Sequence, residues 1–280
     1  PRPGAAGGGT PSGPGRRQRG LARAAAHAVG MGVGPCFSFL AKPPQLTTGY
    51  WDFRGLGAPM RMMCVYSGVA CEDVKYSARK KPKGGWTVPE WDQGQRPALQ
   101  ELNPFVQLPY VINQSTGEVV SQCDAVYLYL GRLLRLNGGT QEEQLANEQV
   151  LFFLRSVWLE LRDLVYPFYG IKDEDAFREA LDGHFAKTMP GHYRKLEAWL
   201  RRRGTPYFAG RAPCTADFHA WELLDQQEAM ASAHGFGSPV ASFELLQAHR
   251  LRFRQLPRLQ AYFESEDARL PVNNKMAFFK

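Results

Sequence analysis

At "NGGT", residues 137–140, the hydrophobic period of the chain changes. Upstream, short apolar runs alternate between strand-like and helix-like spacing. Downstream, Val150, Leu154, Val157, Leu161 and Leu164 fall at helical spacing, and the later segments read the same way. Gly/Asn clusters punctuate elements, so the chain divides here into a small α/β domain, residues 46–136, and an all-α domain, residues 141–280.

The order of elements narrows the first domain further. "LTTGYW" suits a short strand, and "APMRMMCVYSGV" suits a helix with Met62, Met63, Val65 and Tyr66 on its buried face and Gly68 at its end. "CEDVKY" alternates as a strand, and a long polar loop is expected from Ser77 to about Pro97. "LPYVI" and "GEVVS" read as two strands joined by "NQSTG", and a helix from Cys123 to Leu136 is apolar nearly all round, which predicts burial. This β-α-β, long connection, β-β-α order is that of a thioredoxin-like domain. In the second domain Pro167 should end the long helix. "GHYRKLEAWLRRRG" places three arginines in a last turn before Gly204, where cations favour the helix dipole, and a further helix is expected from Cys214 to Met230. No internal repeat is visible.

Charge is distributed unevenly. Of the formal +7, Arg2, Arg16, Arg17, Arg19, Arg23 and Lys42 account for +6 in a segment without acids, leaving +1 on the remaining 229 residues. A body so near neutrality argues against a nucleic-acid partner. Residues 1–45 are rich in Gly, Ala, Pro and Arg and are expected to be a disordered leader. The same composition also fits an organelle transit peptide. A start at Met31 would leave "MGVGPC", which has Cys36 where a myristoylation signal needs Ser or Thr. The five cysteines, Cys36, Cys64, Cys71, Cys123 and Cys214, form no CxxC, so reduced thiols in a cytoplasmic setting are expected. The six histidines show no HExxH or clustered spacing, so no metal site is expected. No apolar run is long enough to span a bilayer.

"GYWDFRG", "LPYVI", "SQCDAVYLYL" and "YFAGRAPCTADF", in that order and spacing, resemble a cytosolic glutathione transferase. The loop around Trp91 and the tail "NKMAFFK" are similar to the mu class. The resemblance covers about residues 46–280. It implies a detoxifying transferase, usually a homodimer, that adds the thiolate of glutathione to hydrophobic electrophiles. Glutathione would be the co-substrate, with no other cofactor.

In that family a tyrosine after the first strand donates its hydroxyl hydrogen to the glutathione sulfur, and Tyr50 matches it. A free thiol has a pKa near ~8.5, so only a few per cent is thiolate at neutral pH. Lowering that pKa by about two units requires roughly 2.7 kcal/mol, within reach of one charge-assisted hydrogen bond in a partly dry site. The plainer alternative is that Tyr50 packs beneath the first helix.

The resemblance also implies the glutathione bed. Pro109 after Leu108 matches the family's cis-proline, which turns the Leu108 backbone toward the tripeptide as though adding a strand. Gln122 and Cys123 open a helix whose N–H groups suit the γ-glutamyl carboxylate; the family usually has serine where Cys123 stands. Trp51 and Trp91 match peptide-contacting positions. Arg96, with Gln95 as a rival, would supply the cation near the glycyl carboxylate, and Gln107 would replace a common asparagine. Val88 stands where an arginine is usual, with Lys80, Lys81 or Lys83 as substitutes. Phe152 stands where the family lends an aspartate across the dimer. These departures support a competing reading, a non-catalytic module that keeps the fold for binding or assembly; a third is a ligand carrier.

Three further positions follow from the same likeness. Tyr166 resembles a mu-class tyrosine facing the electrophile, with Tyr169 as a rival and a plain helix cap as the alternative. Asp217 fits a buried capping box whose cap is Cys214 or, with a shifted start, Thr215. Phe105 either inserts as a key into a partner subunit or tucks into its own core.

Overall fold

The computed structural model describes residues 45–280. The leader readings for residues 1–44 lie outside the described residues.

Strand β1 (Leu46–Trp51) runs into helix α1 (Gly57–Ser67), and β2 (Cys71–Tyr76) returns parallel to β1, with Leu46 opposite Cys71 and Tyr50 opposite Lys75. Gly68 ends α1 in the left-handed conformation, φ 66°, its N–H closing on the carbonyls of Cys64 and Val65. The hairpin β5 (Tyr110–Asn113) and β6 (Glu118–Ser121) then joins the other side of β1, giving the mixed order β2-β1-β5-β6. Helix α3 (Cys123–Leu133) lies with α1 on one face of this sheet.

Residues along β1 alternate between faces. Leu46 and Tyr50 join the large core shared with the helices, while Tyr110, Tyr76, Trp91 and Val88 form a smaller core on the opposite face. Gly49 belongs to that second face because the Tyr110 ring lies across it. A Cβ there would sit 2.1 Å from the ring. This explains a glycine in the middle of a strand, where its weak strand preference is otherwise a cost.

Two expectations need correction. The segment from Ser77 to Pro97 is not one loop. It holds a two-stranded hairpin, β3 (Arg79–Lys80) with β4 (Trp86–Thr87), then a wide helical turn over Glu90–Gln95 that continues as α2 (Arg96–Gln100). Burying Val88, Trp91 and Leu99 is what orders it, and those three are spaced too irregularly to announce a helix. Helix α3 ends at Leu133 rather than Leu136, because Arg135 turns left-handed at φ 58°. Its buried face is Cys123, Val126, Tyr127 and Leu130, while Leu128, Tyr129 and Leu133 are half-buried.

The helical domain begins with α4 (Gln141–Val165), capped by Thr140, whose hydroxyl accepts the Glu143 N–H at 3.1 Å. After α5 (Glu174–Gly183), α6 (Met189–Arg203) ends at left-handed Gly204, following its three arginines. Helix α7 (Thr215–Ala233) is buried on nearly every side and packs on both α4 and α1; α8 (Glu244–Arg254) and α9 (Gln260–Glu264) complete the shell. Cys214 occupies the cap of α7. Asp217 accepts the N–H groups of Cys214 (2.8 Å) and Phe208 (3.0 Å) and bonds His249 Nε2 at 2.8 Å. Thr215 does not cap; its hydroxyl donates to the Leu136 carbonyl and Asn137 Oδ1.

The two domains are tied through the β1–α1 loop. Buried Arg54 grips Glu222 with Nε at 3.1 Å and Nη2 at 2.9 Å, and reaches Asp225 at 2.7 Å. Burial pulls against its charge, but the two carboxylates reverse the balance and hold the guanidinium pKa above its ordinary value.

Candidate active site

Tyr50 is the penultimate residue of β1 and only 3 % exposed. Its ring meets Phe53 edge-on at 5.3 Å and crowds Gly57, where a Cβ would lie 2.6 Å from Tyr50 Cδ1. The hydroxyl faces the backbone N–H of Leu56, with Tyr166 and Cys123 among its neighbours. Burial pushes this phenol well above its usual range, Tyr166 adds to the rise, and the Leu56 N–H opposes it. Tyr50 is therefore a neutral hydroxyl at any physiological pH, a hydrogen-bond donor and not a base.

The loop carrying that donor is braced from three directions. Tyr127 on α3 donates to the Leu56 carbonyl at 2.7 Å. Arg61 on α1 donates to the carbonyls of Phe53 (3.1 Å) and Trp51 (3.2 Å) while its Nε holds Asp73 at 2.9 Å. The C-terminal tail closes the third side: Arg54 N–H binds the Pro271 carbonyl at 2.8 Å, Gly55 N–H binds Val272 at 3.1 Å, and Lys275 reaches Ser77 Oγ at 2.9 Å. None of these braces was singled out from the sequence. Buried arginines look like any other cation until their acceptors are known, and the tail contacts join residues about 200 positions apart in the chain.

The Leu108–Pro109 peptide bond is cis, and the Leu108 backbone makes no hydrogen bond among the described residues. Gln107 and Gln122 are drawn together beside it: Gln107 Nε2 donates to Gln122 Oε1 at 2.8 Å, and Gln122 Nε2 donates to the Phe105 carbonyl at 3.0 Å. Gln122 caps α3 with φ 71°, a conformation that costs a non-glycine residue and persists where surroundings fix it. Cys123 begins α3, 7 % exposed, with burial pushing its thiol up to about 12. Asp124, next along, lies 3.9 Å from Arg155 of α4. Tyr50, Leu108, Pro109, Gln122 and Cys123 thus gather around the β1–α1 and β6–α3 junctions.

The other candidates range from buried core to solvent-facing surface. Trp51 is half-buried. Trp91 is 5 % exposed and stacked on Tyr110 with centroids 5.7 Å apart, so its ring is core. Arg96 is exposed, 3.9 Å from Asp92. Val88 is buried in that same core, and Lys80, Lys81 and Lys83 are solvent-facing. Phe152 is exposed on α4. Tyr166 caps the C-terminal end of α4, and its hydroxyl accepts the Asn274 N–H at 3.0 Å; burial raises its pKa, with that N–H opposing. Tyr169 is exposed beneath Arg162, 4.0 Å from the ring centre. Phe105 is 76 % exposed beside Leu102 at 67 %, so it does not tuck into its own core.

Known proteins place this geometry. Residues 161–266 match the family model described as glutathione S-transferase, C-terminal domain. Glutathione S-transferase Mu 1 of Oryctolagus cuniculus is 29 % identical over 238 residues, covering 83 % of this chain and 97 % of the relative. Over most of its length the chain is thus similar to glutathione S-transferases. Glutathione S-transferase Mu 3 of Homo sapiens is 24 % identical, covering 83 % of this chain and 94 % of that protein. Among solved structures, the glutathione S-transferase Blo t 8 superposes with a TM-score of 0.67 at 21 % identity, covering 83 % of this chain and 99 % of the other. The glutathione S-transferase from Ascaris lumbricoides gives 0.58 at 25 %, covering 81 % and 98 %. The small mixed sheet followed by helices is the glutathione S-transferase fold, and the identities leave the mu class less firmly drawn than the family.

Proposed function

We propose that the protein is a mu-class-like, dimeric glutathione transferase that detoxifies hydrophobic electrophiles, with Tyr50 stabilising the glutathione thiolate. The observation that carries this reading is the neutral Tyr50 hydroxyl, held at the β1–α1 junction beside the start of α3, with its own proton unassigned. The unpaired Leu108 backbone next to cis Pro109 supplies a strand-like edge for the cysteinyl part. The first N–H groups of α3, at Cys123 and Asp124, would take the γ-glutamyl carboxylate. Gln107, Gln122, Trp51, Trp91 and Arg96 would frame the rest. Tyr166 would face the electrophile, its hydroxyl fixed by Asn274 N–H and still able to donate. Exposed Phe105 and Leu102 form an apolar projection suited to a second copy. The four free cysteines among the described residues fit a cytoplasmic location.

Catalysis then consists of deprotonating the bound thiol to solvent, holding the sulfur anion on the Tyr50 hydroxyl, and presenting it to an electrophilic carbon in the apolar space near Tyr166. A second reading is favoured by one observation: Tyr50 is 3 % exposed beneath a strapped tail, so the fold could bind without turnover.

Retention on immobilised glutathione, followed by conjugation to an aryl halide for the natural chain and Tyr50→Phe, separates the two. Retention with turnover, and a large rate loss in the variant, supports the transferase. Retention without turnover supports the binding module, and no retention defeats both.

A further inference from the structure

Cys64 and Cys71 come together at the end of α1. The left-handed Gly68 folds the chain back, Val69 N–H binds the Cys64 carbonyl at 3.2 Å, and Cys71 enters β2 directly beside the last turn of the helix. Their thiols share one small cavity, Cys64 buried and Cys71 half-buried, close enough for each to act on the other's ionisation. The Thr48 hydroxyl also meets Cys71 Sγ, at 3.5 Å. Both thiols, with Thr48, Arg61, Val69 and Asp73, line a cavity of about 100 Å³. A water occupies roughly 30 Å³ of liquid, so the cavity admits about one half of a small disulfide, with the leaving half in solvent.

We propose that Cys71 and Cys64 form a reactive dithiol that reduces small disulfides, Cys71 attacking and Cys64 resolving. Arg61 and Asp73 of this cavity also brace the Tyr50 loop, but none of its residues is assigned to the glutathione bed, and the proposal does not depend on that reading.

The two thiols differ in the way such a pair requires. The neighbouring Cys64 thiol holds the Cys71 thiol below its usual range, with Thr48 helping and burial opposing. Cys64, beside Cys71 and nearly sealed from water, is raised and stays protonated. Asp73 works against the Cys71 thiolate, but its own charge is already engaged by Arg61 at 2.9 Å and Lys75 at 2.7 Å. The attacking sulfur is thus the accessible one and the resolving sulfur the sealed one.

The chemistry balances without a cofactor. Cys71 thiolate attacks one sulfur of the external disulfide; that S–S bond breaks and half of the reagent leaves as thiolate. Cys64 gives its proton to the departing thiolate and its sulfur attacks Cys71, expelling the second half. One external disulfide is reduced to two thiols while Cys64 and Cys71 are oxidised to one disulfide. β2 is an edge strand, so its first residue is free on one side to close the remaining distance.

Bis(2-hydroxyethyl) disulfide, small and unlike glutathione, is the probe. The full chain is exposed to it briefly, trapped with N-ethylmaleimide and digested with trypsin. Both thiols fall in the peptide Met62–Lys75, so an internal disulfide reads as one peptide lighter by two hydrogens and untouched by the trap. The expected result is that this form accumulates about tenfold or more faster than adducts on Cys123 or Cys214. Cys64→Ser should stop at a hydroxyethylthio adduct on Cys71, and Cys71→Ser should leave Cys64 unmodified over the same time. Modification of Cys64 in the Cys71→Ser chain at the natural rate, a stable Cys71 adduct in the natural chain, or oxidation of Cys71 no faster than of Cys123 would each overturn the proposal.

Discussion

The Tyr127 hydroxyl on α3 donates to the carbonyl of Leu56 at 2.7 Å, inside the loop whose N–H faces the Tyr50 hydroxyl. Leu56 thus links α3 to the candidate donor, through its carbonyl on one side and its N–H on the other. Tyr127→Phe leaves a buried carbonyl without its partner, which costs about 1–3 kcal/mol. Urea unfolding should show that loss, and conjugation should slow even where the variant remains folded.

Arg54 and Glu222 cross the domain boundary with almost no solvent between them. Arg54→Met strands a buried carboxylate and should destabilise by about 3–5 kcal/mol. The double variant Arg54→Met/Glu222→Leu removes the stranded charge and should recover part of that loss. A double variant no more stable than Arg54→Met alone would contradict the assignment.

Gly49→Ala drives a methyl to within 2.1 Å of the Tyr110 ring. The expected penalty is about 1–3 kcal/mol, as for other overpacked cores. Adding Tyr110→Leu should make the alanine nearly neutral relative to Tyr110→Leu alone, measured as a double-mutant cycle.

Burial lowers the His219 pKa to about 3, with Arg155 adding to the effect. The unfolded chain binds a proton near ~6.5, so the neutral ring's contribution is complete above that pH. It is lost as pH falls from about 6.5 toward 3. His219→Gln should flatten the stability curve across that window while leaving its neutral-pH plateau little changed; equal slopes in both chains would refute the buried neutral ring.

Local patterns carried most of the fold. β1, α1 and β2 are bounded by residues whose preferences agree with their places, and Gly68 and Gly204 end their helices as the sequence suggests. The Ser77–Pro97 segment was illegible because Val88, Trp91 and Leu99 are buried by the opposite face of the sheet, not by any period of their own. For the candidate site, the family resemblance rather than periodicity or spacing points to Tyr50, Leu108–Pro109, Gln122 and Cys123, and the pairing of Gln107 with Gln122, the brace from Arg61 and the tail bonds at Arg54 and Gly55 depend on distant partners. Phe105 shows the limit from the other side: a loop phenylalanine reads equally as core or projection until its exposure is known.

The most direct measurement is the ultraviolet titration of the glutathione thiol bound to the natural chain and to Tyr50→Phe. The account predicts that the bound thiol ionises about two units below its free value near 8.5, and that Tyr50→Phe returns most of that shift with little change in affinity. An unshifted bound thiol in the natural chain, or an equal shift in both, would contradict it.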